Sequence, residues 1–151
     1  MSHLLKRIDL GAEAGYSDFR KNDDALCHQA IKKMSKLTSA ILSNIDYAEA
    51  RKKRRENFQM LDGALGHKNH LHFALNDDCV PMAYPYLTND DELKQKLIEN
   101  KIFVATYWPN VMDWCEEKTW EYQLAQRTCF LPVDQRYGQE DMNKILNVLQ
   151  K

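Results

Sequence analysis

The sequence predicts an α+β domain in which a small sheet of about three or four strands is flanked by helices and preceded by two N-terminal helices. Three observations lead to this class. Two stretches after residue 30 repeat apolar side chains every three or four positions, as helices do. Residues 80–86 then alternate in the manner of a strand, and helix-like and strand-like segments follow in turn. The predicted order is α-α-β-α-β-α-β-α.

Residues 1–25 have weak periodicity and a polar centre that contains the run from Arg20 to Asp24. We interpret them as an N-terminal arm, or as the remnant of a segment that normally precedes a domain. The domain itself is predicted to span residues 26–151.

The two N-terminal helices follow the arm. Helical spacing from Ile31 to Leu42 predicts about four turns, which Ser43 and Asn44 interrupt. Asp46 then begins a second helix, because a carboxylate there, with Glu49 three residues later, can satisfy free backbone N–H groups. This helix is expected to end near residue 63 or 66, where glycines occur.

The first strand is predicted at 80–86, and its two prolines indicate an edge position. Residues 88–92 are typical of a helix start, and the helix that follows has Leu93, Leu97 and Ile98 on its buried side, with Asn100 as a left-handed stop.

Ile102–Trp108 is the strongest strand signal in the chain, rich in β-branched and aromatic residues and ended by Pro109. A helix around 117–126, a short strand at 129–131 and a last helix opened by Gly138 complete the fold. The inward side chains of the last helix are expected to be Met142, Ile145, Leu146 and Leu149.

Composition excludes several classes of protein. The chain has 151 residues, of which 44% are hydrophobic and 28% charged, so collagen-like and wholly disordered chains are excluded. With 21 basic and 22 acidic side chains the net charge is −1, which argues against a nucleic-acid-binding protein. We expect neither a membrane span nor a signal peptide, because no stretch of the sequence has the apolar run that either requires. We therefore expect a cytoplasmic protein with four reduced cysteines.

Local charge features have ordinary interpretations. Five consecutive basic residues at 51–55 point around a whole helix, which favours a solvated helix face over a nucleic-acid patch. His67, His70 and His72 lack carboxylate or thiolate neighbours at ligand spacing and are predicted to be surface histidines, not a metal site. The acidic pairs 77–78 and 90–91 are typical of a turn and a helix start. No phosphate-binding or nucleophile motif occurs in the sequence.

The remaining candidate site lies at two predicted strand ends, where layered folds commonly build their sites. One group follows the strand at 102–108 and the other follows the strand at 129–131. A plainer alternative is that the tryptophan of the first group caps the core and that the second group forms a turn. The side chains concerned are Tyr107, Trp108 and Asn110, and Asp134, Gln135 and Arg136.

Several runs of the sequence together resemble the C-terminal small domain of DegT-like sugar aminotransferases, which are fold-type I enzymes that use pyridoxal phosphate (PLP) in nucleotide-sugar biosynthesis. The likeness covers roughly residues 28–151. The matching runs are RRENF at 54–58, VPMAYP at 80–85, the helix ending IENKI at 98–102, YWP at 107–109, LPVDQRYG at 131–138, and Asp141 with Met142.

The resemblance implies a small sheet flanked by helices and entered through a long helix. It also implies that PLP is held by a separate large domain, which supplies the Schiff-base lysine, so the chain has no catalytic or cofactor-binding residue and no transaminase activity alone. Tyr107, Trp108 and Asn110 would border the substrate cleft, with Asp134, Gln135 and Arg136 nearby. The expected partner is a PLP-binding large domain or a second copy of the chain. A stand-alone interaction or assembly module is the alternative.

Overall fold

The computed structural model describes residues 2–11 and 13–150. The chain divides into two compact units, Met1–Ile45 and Asp46–Lys151. This division lies further along the chain than the predicted end of the arm at residue 25. None of the helices in the described ranges is long and apolar enough to cross a bilayer.

The first unit is helical. It contains α1 (Ser2–Leu10), α2 (Tyr16–Asp24) and α3 (Lys36–Ser43), so the segment interpreted as an arm includes two helices. Gly15 lets α1 and α2 approach closely, because a Cβ atom there would lie 2.4 Å from the carbonyl oxygen of His3. An ion pair of 2.7 Å between Lys6 and Asp18 and an edge contact between the rings of His3 and Phe19 also join α1 to α2.

The predicted helix at 31–42 is shorter at its start than expected. Helix α3 begins at Lys36, because the Ser35 side chain accepts a hydrogen bond of 3.0 Å from the backbone N–H of Thr38 and so caps the helix there. Residues 29–35 are not helical, and the side chain of Ile31 is exposed to solvent. The apolar spacing from Ile31 onward therefore predicted the start of the helix too early. The helix starts after Ser35, which caps it.

The second unit begins with α4 (Tyr47–Leu65), whose start and end were predicted correctly. The Asp46 carboxylate accepts a hydrogen bond of 2.9 Å from the N–H of Glu49, and Gly66 follows the last helical residue. Four more helices follow α4, and two strands lie among them. They are β1 (Ala83–Tyr86), α5 (Leu93–Glu99), α6 (Val111–Trp114), α7 (Trp120–Arg127), β2 (Cys129–Pro132) and α8 (Gln139–Leu149).

The described sheet has two antiparallel strands, fewer than the three or four predicted, although the α+β class is confirmed. Tyr84 lies opposite Leu131, and Tyr86 lies opposite Cys129, and all four of these side chains are buried. Helix α4 contributes Phe58, Leu61 and Leu65 to the same core, α5 contributes Leu93 and Leu97, and α8 contributes Met142, Ile145 and Leu146.

The strand predicted at 102–108 is wrong. Only Ala105 makes a β-bridge, and its partner is Phe130 of β2, which pairs with Pro85 of β1 on its other side. The segment predicted as the strongest strand therefore contacts the free edge of β2 at one residue. High β-propensity reflects a fit to a pleated, half-buried surface, and β2 offers only a short edge for such a fit.

Smaller boundaries also differ. The first strand begins at residue 83 rather than 80, and the side chains of Val80 and Met82 are exposed. Helix α5 ends at Glu99 as expected, but the left-handed residue is Lys101, with φ 61°, and not Asn100. In the last helix Leu149 is half-buried, while the other three predicted side chains lie in the core.

Candidate functional site

Tyr107 is anchored to the sheet and begins the first group of candidate residues. Its ring makes an edge contact with the ring of Phe130, with centroids 4.6 Å apart, and its side chain is half-buried. Together with the bridge between Ala105 and Phe130, this contact fixes residues 105–107 against β2, just before the chain turns away from the sheet.

Trp108 is exposed and has an unusual backbone conformation. Its φ of 52° lies in the left-handed region, which is costly for a bulky residue, and the residue is 67% exposed to solvent. The alternative that Trp108 caps the core is therefore wrong. Strained residues are often found at binding sites, because surrounding structure must hold them in place.

A tight turn connects Trp108 to α6. The carbonyl oxygen of Trp108 accepts from the N–H of Val111 at 3.0 Å, and that of Asn110 accepts from Asp113 at 3.1 Å. Asn110 precedes the helix without a side-chain cap hydrogen bond. Tyr107, Trp108 and Asn110 therefore lie on one turn that leads into α6.

Two further tryptophans lie close along the chain. Trp114 ends α6 with 76% of its surface exposed, and Trp120 begins α7 with 58% exposed. Helices α6 and α7 contact each other, so all three indoles belong to one continuous stretch of structure. We call residues 107–120 the tryptophan segment.

The second group of candidate residues forms a turn after β2. The Asp134 carboxylate accepts from the backbone N–H of Arg136 at 3.1 Å and from its guanidinium at 2.8 and 3.0 Å. These hydrogen bonds hold the pKa of Asp134 below its ordinary value and raise the pKa of Arg136. The turn interpretation is therefore correct for these residues.

Side chains of helix α4 hold this turn in place through hydrogen bonds. The Arg54 Nε donates to the Gln135 side-chain oxygen at 2.8 Å. The buried Asn57 amide donates to the backbone oxygens of Val133, Asp134 and Tyr137 at 3.1–3.3 Å. Among the described residues, no hydrogen bond, ion pair or ring contact joins this turn to Tyr107, Trp108 or Asn110.

The basic run on α4 is not a plain solvated face, because its three arginines all donate to backbone oxygens, Arg51 to that of Asp77. Arg54 Nη1 donates to the carbonyl oxygen of Pro81 at 3.1 Å. Arg55 Nη1 donates to the carbonyl oxygens of Asn76, Asp77 and Cys79 at 2.7–3.2 Å. The available sequence signal was the acidic turn at 77–78, whose charge is opposite to that of the helix.

The histidines at 67, 70 and 72 are exposed, as predicted for surface residues. In the ranges that the structure describes, no three His, Cys, Asp or Glu side chains lie together in a way that could hold a metal ion.

A cavity between α5 and α7 was not anticipated from the sequence. It has a volume of about 430 Å³, and Lys94 and Arg127 line it. Lys94 donates from Nζ to the carbonyl oxygen of Gln126 at 2.7 Å and to the hydroxyl of Thr106 at 3.2 Å. Lys94 lies four residues after Asp90, and this spacing matches no recognisable motif. The cavity forms only when the two helices pack together, so the sequence alone does not reveal it.

This cavity does not fit PLP. The Lys94 amine is directed at two neutral oxygens, and the neighbouring Asp91 carboxylate lies 3.0 Å from Arg127, where it cannot serve a pyridine nitrogen. We therefore assign no residue of this chain to the cofactor.

Comparisons with protein-family models, with curated proteins and with solved structures find no match to the chain.

Proposed function

We propose that residues 28–151 act as the substrate-facing small domain of a DegT-like, PLP-dependent sugar aminotransferase, and that the chain does not transaminate alone. The observation that carries the proposal is the tryptophan segment, in which Trp108, Trp114 and Trp120 are 58–76% exposed. Indole side chains so placed favour burial against a partner or a ligand. The ordered sequence resemblance supports the same function.

The role of the chain would be to form a wall and to orient the substrate. Tyr107 is fixed by the Phe130 ring, so it can present the neighbouring Trp108 in one orientation. An indole face beside polar groups such as Asn110 suits a sugar, which has apolar and hydroxylated surfaces. Bound PLP would supply the electron sink from the large domain, and the residues here would exclude water from the cleft.

Reductive trapping tests the claim that the chain supplies no cofactor lysine. The full chain is mixed with equimolar PLP, reduced with borohydride and mapped by peptide mass spectrometry. We expect sparse labelling spread over the exposed lysines. One lysine labelled close to completion would overturn the proposal. Lys94→Met is the matched control, because Lys94 is the lysine whose pKa is lowered by burial.

A second candidate function, an assembly module, is favoured by the first unit. In its described residues Gly15 alone is buried, and helices α1 and α3 expose large apolar side chains. Those side chains include Leu5, Ile8 and Leu10 of α1 and Leu37 and Ile41 of α3. Such surfaces mark association sites in many proteins.

Sedimentation of the pure chain tests this second candidate. Self-association through the first unit predicts a dimer that Ile8→Glu converts to a monomer, because a carboxylate would be buried without a partner. The exposed Tyr47→Glu change in α4 is the control. A monomer at about 100 µM, far above ordinary dimer dissociation constants, would contradict self-association.

A cytoplasmic location forms part of the proposal. All four cysteines lie in the described ranges, and none forms a disulfide. Cys27 and Cys79 are exposed, which suits a reducing compartment.

A further inference from the structure

The cavity between α5 and α7 lies wholly within the second unit and has no role in the function proposed above. Its volume of about 430 Å³ is in the range of small-molecule sites. Its walls are mostly polar or charged, which selects a polar ligand. The polar side chains that line it are Asp90, Asp91, Lys94, Gln123, Gln126 and Arg127.

Lys94 is a half-buried cation without a counterion. Its ammonium donates to the hydroxyl of Thr106 and to the carbonyl oxygen of Gln126, both of which are neutral. Within the described part of the chain, no carboxylate lies within 4.0 Å of it. Burial lowers its pKa, which is the expected effect of removing water from a charge that has no partner.

The acidic side chains of the cavity already have partners. Asp90 accepts from the backbone N–H of Glu92 at 3.0 Å. Asp91 lies 3.0 Å from Arg127 Nε, although the geometry is that of an ion pair without an aligned hydrogen bond. The Arg127 Nε is buried and makes no hydrogen bond to any described residue. Arg127 Nη2 donates to the carbonyl oxygen of Thr88 at 3.0 Å, so among the two cations of the cavity Lys94 alone has no carboxylate partner in the described residues.

Cys129 lines the cavity without adding charge. Burial raises the pKa of its thiol to about 11, so the thiol is protonated near neutral pH. The cations are consequently not neutralised by a thiolate.

We propose that this cavity, here called the Lys94 pocket, binds a small hydroxylated organic anion. Its carboxylate or phosphate group is held by Lys94, because a charge-assisted hydrogen bond to an oxyanion supplies the counterion that this ammonium lacks. Its hydroxyl groups are bound by Gln123, Gln126 and Asp90. The pocket needs no second domain, so the inference stands apart from the aminotransferase proposal.

Titration of the full chain, followed by NMR chemical shifts, tests this inference with three probes. Gluconate and glucose 6-phosphate carry hydroxyls and an anionic group, whereas glucose carries hydroxyls alone. We expect both anions to shift amides of residues 90–94 and 123–129, and we expect glucose to have no effect. If neither anion binds at concentrations on the order of 10 mM, or if glucose binds as tightly as they do, the inference is overturned.

Two variants locate the binding. Lys94→Met is expected to weaken the anions at least ~10-fold, because it removes the ammonium and keeps the length of the side chain. Lys96→Met, on the same helix but outside the pocket, is expected to bind as the wild type does. Equal losses in the two variants, or no loss in the first, would overturn the role of Lys94. If Lys94→Met fails to fold by circular dichroism, Lys94→Gln replaces it.

Discussion

Asn69 is the clearest single residue on which the second unit depends. It is 3% exposed, and its amide nitrogen donates to the carbonyl oxygen of Pro85 at 2.9 Å and to the Tyr84 hydroxyl at 3.3 Å. Its oxygen accepts from the N–H groups of Leu71 and Leu87 at 3.1 and 3.0 Å. One side chain therefore ties the loop after α4 to the end of β1.

We expect Asn69→Ala to lower the free energy of unfolding by about 2–4 kcal/mol, because the N–H groups of Leu71 and Leu87 would lose the oxygen that accepts from them. Urea denaturation followed by circular dichroism measures the loss. Asn89→Ala, at an exposed position, is the control and should change stability by less than about 0.5 kcal/mol. A similarly small change for Asn69→Ala would contradict this role.

Tyr84 gives the second unit a sensitivity to alkali. Burial, with smaller contributions from Asp62, raises the pKa of its hydroxyl from 10.0 to about 12. A raised folded-state pKa means that the stabilisation is complete below pH 10 and is lost as the pH rises towards 12.

Tyr84→Phe should therefore remove this loss. The stability difference between wild type and variant is expected to shrink by up to about 2–3 kcal/mol between about pH 9 and pH 12. Urea titrations at several pH values measure it, with the exposed Tyr47→Phe as the control. A difference that stays constant over this range would show that Tyr84 does not titrate as described.

At the scale of elements, α4 acts as the support for two loops. Arg55 holds the chain at 76–79 through three backbone oxygens, and the side chain of Arg51 also donates to the carbonyl oxygen of Asp77. Arg54 and Asn57 hold the turn at 133–137. The helix thus fixes the second group of candidate site residues.

Arg55→Ala is expected to increase amide hydrogen exchange at residues 76–80 with little change in global stability, because these oxygens can be hydrated once the loop moves. Lys52→Ala is the matched control, since Lys52 is exposed and makes only a long ion pair of 3.9 Å with Glu56. Unchanged exchange in Arg55→Ala would contradict the supporting role.

Helices α4, α5, α7 and α8 could be predicted because their signals are local, whereas the short helix α6 was not predicted. Asp46 and Gly66 bound α4 through side-chain and backbone properties of a few neighbouring residues. The sheet could not be predicted in the same way. Whether Ile102–Trp108 forms a strand depends on an edge supplied by residues 129–132, and β2 offers a single bridge there. The Lys94 pocket could not be predicted either, because it too depends on residues that are distant in the sequence.

For the candidate site, the sequence identified which residues follow a strand-like segment, but it did not predict which of their side chains are exposed. Tyr107, Trp108 and Asn110 do share one segment, but only the structure places the Trp108 indole in solvent. The left-handed backbone of Trp108 likewise has no local motif that would predict it.

At the scale of the whole molecule, the two units differ in how they could be stable. The core side chains that pack together all lie between Phe58 and Leu149, within the second unit. The first unit has no comparable set of buried apolar side chains among its described residues. Stability of a folded unit requires such burial to offset conformational entropy.

A chain of residues 46–151 is therefore expected to fold by itself and to unfold cooperatively in urea. Residues 1–45 alone are the matched comparison and should show no cooperative transition. Circular dichroism and intrinsic tryptophan fluorescence measure both. Loss of the cooperative transition in 46–151 would contradict the assignment of the core to the second unit.

The central claim is that the tryptophan segment faces a separate PLP-binding domain, and affinity capture tests it most directly. The tagged full chain is incubated with an extract of the encoding organism, reduced with borohydride and captured. Trp108→Ser is compared with Ile31→Ser, an exposed apolar position in the first unit. We predict a co-captured protein that carries pyridoxyl-lysine and is lost with Trp108→Ser only. Pyridoxyl-lysine on this chain itself, or no PLP protein in the capture, would contradict the account.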